Sequence, residues 1–438
     1  MIAAALDGEV YEPGSPGYEA AYRPADVRFA HVRPRLVVRC RSAEDVARTL
    51  EHARATGTPV VPRGGGHCFA GRSSTEGILL DLGLLDDVSV ADGGVATIGA
   101  GARLAGVYGA LARHGRTLPA GCGPTVGIAG LTLGGGIGLL GRRYGLTCDR
   151  LAGARVVLAG GAVVDCDRDR EPELFWALRG AGGGQVGVVT SLVFDTVPEP
   201  VTTRVGFGAP RAPLAEVIEA WQDWAPDAPD EVTVGLEVLA LPGRPVEVRL
   251  GGASLLPEAP THALLDGFRA AVGAPLDLHG GLPYSRLKTV LAGPDPLDAA
   301  PGGRRIRSEF FAGPLRRSTV DALCASLTAR AGDDDDGPRR LAFTPMGGAY
   351  NRVLADATAF AHRGERFLLE HGAAASSAWA DTSWAIAHAD GSGHVYPNFP
   401  DLALPDSPAA YHGANLPRLA AVKRRYDPAR VFGFPPSL

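Results

Sequence analysis

Lysine is almost missing from this chain: Lys288 and Lys423 are the two in 438 residues, and arginine carries the rest of the positive charge. We read that as compositional bias of the coding sequence rather than mechanism. Basic tracts are missing too, the formal net charge is −5, and aromatic residues do not interleave with basic ones. Nucleic acid is therefore excluded as the main partner. Long apolar runs are absent: Gly, Arg and Asp break them well before membrane-spanning length, so no membrane partner is expected. The start, "MIAAALDGEVYEPG", has no basic region ahead of its short apolar run and meets Asp7 and Glu9 at once. It is a poor secretory signal, and cytoplasmic residence is the expectation. Cysteine is sparse. Cys40, Cys68, Cys122, Cys148, Cys166 and Cys324 form no C-x-x-C pair and no zinc pattern, so neither a metal nor structural disulfides are expected. Most of them read as small buried hydrophobes.

The chain does have length and glycine. At 438 residues it exceeds a single compact core, so two domains are expected. Its 45% hydrophobic and 21% charged content is ordinary for a globular protein. "PRLVVRCRSAEDVARTLEHARATGTPVVPRGGG" reads as strand, cap, helix, strand. Ser42 is the N-cap, Asp45 favours the helix dipole, Val46, Leu50 and Ala53 recur at helical spacing, and Gly57 stops the helix. "GILLDLGLL" and "VATIGAG" are short strands, "RLAGVYGALARHG" is a helix stopped by Gly115, and "ARVVLAGGAVVDCD" is a hairpin turning at Gly160-Gly161. "PELFWALRGAGGGQVGVVTSLVFDTV" is a short helix, a glycine turn and a strand.

Beyond about Val201 the pattern changes. "TVGLEVLALPGRPVEVRLGGASLL" alternates as antiparallel strands do, and "APLAEVIEAWQDWA", "PTHALLDGFRAAVG" and "STVDALCASLTARAG" are amphipathic helices. "DDDDG", Asp333 to Gly337, reads as a solvated acidic turn. The last stretch, "NLPRLAAVKRRYDPARVFGFPPSL", is a helix broken at Asp427-Pro428, with an apolar tail expected to dock on a domain.

Three segments are rich in glycine: Arg63–Gly71, Gly121–Gly138 and Gly180–Gly187. Bare backbone amides can approach and hydrogen-bond a pyrophosphate. Three such segments in one N-terminal domain suggest a long, flat ligand lying against backbone, which a dinucleotide would satisfy. A Rossmann unit fails its context test: "RGGGHCFAG" runs into more loop and a strand, not into a helix.

"VPRGGGHCFAG", "GCGPTVGIAGLTLGGGIGLLGRRYGLTCD", "PELFWALRGAGGGQVGVVT", "YPNFPD" and "YHGANLPRLAAVKRRYDPARVF" follow one another over nearly the whole chain. Together they resemble the berberine-bridge-enzyme-like branch of the vanillyl-alcohol-oxidase flavoprotein superfamily. The resemblance implies an α+β, two-domain PCMH-type FAD-binding fold. Residues 1–200 would bind FAD, 201–404 would form a substrate domain of antiparallel sheet flanked by helices, and 405–438 would be a berberine-bridge-like segment returning to the FAD domain. FAD would be bound by Arg63, Gly64, Gly65, Gly66, His67, Cys68, Gly71, Cys122, Val126, Gly127, Gly130, Leu133, Gly134, Gly135, Gly138, Val188 and Asn398. His67 matches the histidine that bonds the 8α carbon of FAD. A second tether, in many members, comes from a cysteine directly before the proline of "PTVG". Here Gly123 holds that place and Cys122 stands one residue earlier, which turns its side chain away, so attachment through His67 alone is expected.

The resemblance also implies the chemistry. A flavin oxidase takes a hydride while a base accepts the neighbouring O–H or N–H proton. Tyr396 matches the base and Asn398 the residue that orients it. Tyr144 matches a recurrent tyrosine near the flavin, Glu237 is an alternative base on a substrate-domain strand, and Tyr350 and His362 follow a segment that lines the site. The substrate would be a small alcohol, amine, sugar or natural-product intermediate. Molecular oxygen would be the second partner, since the small Val126 and Gly127 leave its path open. The alternatives are a non-covalent FAD dehydrogenase with another electron acceptor, and a non-catalytic flavin- or ligand-binding protein.

Overall fold

The computed structural model describes residues 2–293, 295–300, 302–329, 337–404 and 407–433. Its first sheet runs β1 (Glu9–Tyr11), β2 (Leu36–Arg39), β4 (Ile78–Asp81), β3 (Val60–Arg63), with β2, β4 and β3 parallel. The helix Ala43–Thr56 crosses from β2 to β3. Ser42 Oγ accepts from the Asp45 amide at its start, and Gly57, at φ +62°, ends it in the left-handed region. Val46, Leu50 and Ala53 are buried, as their spacing requires. A second, antiparallel sheet runs β5 (Val88–Val90), β6 (Val95–Gly99), β10 (Val188–Asp195), β8 (Leu151–Val157), β9 (Val163–Cys166). Two short strands, β7 (Arg116–Thr117) and β11 (Val197–Pro198), pair beside it.

The change of sheet falls between Asp195, where β10 ends, and Val201, where the next sheet begins. That sheet is seven-stranded and antiparallel, in the order β15 (Leu276–Pro283), β12 (Val201–Phe207), β14 (Glu247–Ser254), β13 (Val232–Ala240), β17 (Arg339–Pro345), β18 (Phe367–Ala374), β16 (Arg304–Phe311). Strand alternation divides its residues between two faces. Leu236, Val238, Leu341, Phe343, Phe367 and Leu369 share a core with the helices Leu214–Trp224, Glu258–Val272, Arg317–Thr328 and Trp379–His388. Each such side chain contributes about 1.5–3 kcal/mol when fully buried. The opposite face, with Thr233, Gly235, Arg340, Thr344, Leu368 and Glu370, looks onto the N-terminal half across a cavity.

The helix Leu416–Tyr426 returns to that N-terminal half. Arg418 pairs with Glu173 at 2.7 Å. The buried Lys423 ammonium meets Asp427 at 2.8 Å and donates to the carbonyls of Gln185 (2.6 Å) and Phe432 (2.9 Å). Both lysines of the chain are buried. The six cysteines are free: Cys40, Cys148 and Cys166 are buried, Cys68 and Cys324 partly so, and Cys122 is exposed. Asp333–Asp336 of the acidic turn and residues 434–438 of the apolar tail lie outside the described residues. Among the described residues no helix is long and apolar enough to cross a membrane.

Candidate active site

The parallel strand β3 ends at Arg63 and releases the chain into Gly64–Gly66, which lies against the segment leading into the helix Ile128–Leu133. The two meet backbone to backbone: a Cβ on Gly65 would collide with the amide nitrogen of Gly127, and one on Gly127 with that of Gly65. Only glycine permits this approach. Above this floor lies a cavity of about 630 Å³, in the size range of cofactor sites. Gly64 to Cys68, Val126, Gly127, Gly130, Leu133, Gly138 and Val188 face it. A floor with so few side chains fits the pyrophosphate and flat ring of FAD.

Other expected residues act one layer back. Arg63 touches the cavity, but its guanidinium turns away: Nε and Nη2 reach Asp81 Oδ2 at 3.0 and 2.7 Å, and Nη1 the Tyr22 carbonyl at 2.6 Å. It braces the loop. Gly71 and Gly135 lie outside the cavity lining; a Cβ there would lie 2.6 Å from the Phe29 ring and 2.9 Å from that of Phe360, respectively. Gly134, likewise outside the lining, leaves room for the Asn398 amide.

His67 reaches the cavity with its Nε2 3.0 Å from Thr125 Oγ1. Burial, and then the charges of Arg304 and Arg103, hold its pKa below the usual histidine value, so the ring is neutral and keeps a lone pair at neutral pH. Thr125, inside "PTVG", escaped the sequence reasoning. Cys122 is expected to turn away after its one-residue shift, but it also lines the cavity, beside the Lys288 ammonium. That ammonium donates to the Gly121 carbonyl at 2.7 Å and stands 5.0 Å over the Tyr108 ring.

Opposite, the Tyr396 hydroxyl accepts hydrogen bonds from Gly136 N, Ile137 N and Asn398 Nδ2, each at 3.0 Å. Asn398 Nδ2 also donates to the Leu131 carbonyl at 2.8 Å, which fixes the amide. Burial pushes the Tyr396 phenol up to about 12, and the three donors pull it the other way.

The roof adds a charged group that the sequence reasoning missed. Arg340 sits 3.5 Å from Glu370 and 2.7 Å from Asp295, and Arg304 is 2.7 Å from Asp295. All four residues line the cavity. Burial raises the Glu370 pKa, opposed chiefly by the Arg340 charge. The available signal was a single acid inside the apolar run "RFLLEHGAA", since a charge in a buried strand needs a partner or a task.

Four expectations are corrected in placement. Glu237 shares a row of the sheet with Glu370, through Ala342, but its carboxylate lies 3.5 Å from Arg249 and outside the cavity lining. Tyr144 packs on the core of the N-terminal half, off the cavity. Tyr350 is a buried brace whose hydroxyl bonds both the amide (3.1 Å) and carbonyl (2.7 Å) of Gly138. His362 is buried away from the cavity, its Nε2 2.9 Å from the Tyr411 carbonyl.

Comparison with known proteins agrees with this geometry. Residues 34–167 match the family model described as FAD binding domain, and residues 395–438 the one described as berberine and berberine like. The FAD-linked oxidoreductase YgaK of Bacillus subtilis is 30% identical over 99% of this chain and 97% of its own length. The solved Physcomitrella patens BBE-like 1 superimposes with a TM-score of 0.88 at 26% identity, over 100% of this chain and 98% of that one. A glucooligosaccharide oxidase from Acremonium strictum, described as carrying 6-S-cysteinyl, 8α-N1-histidyl FAD, superimposes with a TM-score of 0.87 at 27% identity, over 99% and 97%. With an FAD-binding domain, a berberine-like C-terminal segment and a full-length relative of this kind, the chain belongs to the berberine-bridge-enzyme-like family of FAD-linked oxidoreductases.

Proposed function

We propose that this oxidoreductase is an oxidase that removes a hydride from a small alcohol, amine, sugar or natural-product intermediate and reduces oxygen to hydrogen peroxide. FAD, when bound, supplies the hydride acceptor and the electron relay to oxygen. The chain supplies grip, orientation and proton handling. Gly64–Gly66 and Gly127 would take the pyrophosphate against backbone amides. His67 would hold the 8α carbon: in the tautomer in which Nε2 donates to Thr125 Oγ1, Nδ1 would keep the lone pair for that bond. Cys122, one residue from the usual tethering position, would stay free.

The observation that carries the reading is the environment of the Tyr396 oxygen. Three N–H groups aimed at one phenol oxygen oppose the larger upward push of burial on its pKa, and they are already in place to stabilise negative charge on that oxygen before substrate arrives. Tyr396 would accept the substrate's O–H or N–H proton as the hydride departs, with Asn398 fixing its direction. A second reading gives the proton to Glu370. Its support is burial at the cavity wall, which raises the carboxylate's pKa and makes it the stronger proton acceptor.

Anaerobic reduction of the flavin followed by mixing with air-saturated buffer tests the oxidase. Rapid reoxidation with stoichiometric peroxide is expected; a flavin that stays reduced for minutes in air would assign the chain as a dehydrogenase.

A further inference from the structure

His362, Glu365 and His394 come together off the cavity, and a potential metal-ligand atom of each lies within 4.8 Å of those of the other two. The first two belong to the connection between β17 and β18; the third follows the helix Trp379–His388, two residues before Tyr396. The cysteine spacing gave no hint of such a cluster, because its members are histidines and a glutamate from separate stretches of chain.

The hydrogen bonding leaves two acceptor atoms of the cluster unused. His362 Nε2 faces the Tyr411 carbonyl at 2.9 Å, and a carbonyl can only accept, so Nε2 carries the proton and Nδ1 the lone pair. That Nδ1 is buried and finds no hydrogen-bond partner among the described residues; the same holds for Glu365 Oε2. A buried polar atom left unpaired costs about 1–3 kcal/mol, and two in one cluster call for a shared partner. His394 Nδ1 lies 2.9 Å from Glu365 Oε1, a proton-bridged pair of the kind a cation can replace. Phe310 and Phe360, with ring centroids 5.2 and 5.3 Å from that of His362, form an apolar shell on one side. The His394 side chain, 39% exposed, opens the other side to water.

We propose that His362 Nδ1, a Glu365 carboxylate oxygen and His394 bind a divalent first-row cation of borderline softness, zinc in preference to magnesium or calcium. Two imidazoles and one carboxylate, with water as fourth ligand, are a zinc donor set. On binding, the cation displaces the proton between His394 Nδ1 and Glu365 Oε1: from an imidazolium it leaves to solvent, and from a neutral imidazole it moves to Nε2, so the ring ligates as neutral imidazole in either case. The site ties the β17–β18 connection to the segment bearing Tyr396 and Asn398. It is a positioning site and takes no part in hydride removal.

The test uses the full-length, flavin-loaded protein, stripped with a chelator, incubated with zinc chloride and dialysed against metal-free buffer. Elemental analysis should find stoichiometric retained zinc, and the Tm should rise over the stripped protein. His394→Ala and Glu365→Gln should each abolish retained zinc and the zinc-dependent rise in Tm while keeping the flavin absorbance. His394 is half-exposed, so His394→Ala keeps the test decisive if Glu365→Gln does not fold. No retained zinc in the parent chain, or equal retention in parent and variants, would overturn the proposal.

Discussion

Floor and roof of the cavity meet the ligand with different parts of the chain. Below, Gly64–Gly66, Gly127 and Gly138 offer backbone, with the Arg63–Asp81 pair bracing the first segment and Tyr350 bracing Gly138. Above, the seven-stranded sheet offers the side chains of Arg340, Thr344, Leu368 and Glu370, and Tyr396 closes one wall. The difference separates two tasks. A backbone floor suits the cofactor of the FAD-binding domain, whose pyrophosphate can be held by amides. A side-chain roof can be rewritten residue by residue, and so sets which substrate enters and where its proton goes.

The largest break of this division should come from giving the floor a side chain. Gly65→Val places a Cβ against the Gly127 amide, where neither loop can yield without backbone movement. Overpacking ordinarily costs about 1–3 kcal/mol, and here it falls on the cofactor cradle. The protein should purify with only a trace of bound flavin, read from its absorbance. Changes to the roof and to the Tyr396 wall should leave flavin content intact and act on turnover. Tyr396→Phe is expected to lower kcat about 10²–10⁴-fold, the usual worth of a general base, with peroxide release as the measure. Glu370→Gln should cost less, about 10–100-fold in kcat/KM, through the lost charged contact with Arg340. The reverse order of these two effects would transfer the base to Glu370.

The smallest effect concerns pH. His371 is buried in β18 with Nδ1 2.8 Å from Ser383 Oγ, and burial, aided by Arg307, holds its pKa down to about 3. The unfolded chain takes up this proton near pH 6.5, while the folded ring stays neutral. The contribution is therefore complete above about pH 6.5 and is lost as pH falls toward 3, with a slope of up to about 1.4 kcal/mol per unit. His371→Asn should flatten the acid side of a Tm-against-pH curve. An unchanged slope would move the acid sensitivity elsewhere.

The same division explains what could be read from the sequence. The floor was legible because its chemistry lies in the absence of side chains, and absence shows directly as "RGGGH" and "GLTLGGGIG". Local rules also sufficed for the Ser42 cap, the Gly57 stop and the hairpin between β8 and β9. The roof was not legible because it depends on register. Arg340 and Glu370 come from β17 and β18, and Asp295 lies before β16; they meet only once the sheet is ordered. Glu237 illustrates the limit: it is on the row of Glu370, yet Arg249, brought opposite by β14, takes its carboxylate. Tyr144 and Tyr350 sit in family-like motifs, but packing makes both of them support rather than lining.

A glycine floor that presents a neutral His67 would give FAD a single covalent anchor. The mass of the intact, acid-denatured protein tests it most directly. A wild-type increment of one FAD, carried by the peptide containing His67 and absent in His67→Ala, is the predicted result. An unmodified wild-type mass, or an increment that persists in His67→Ala and maps to Cys122, would contradict it.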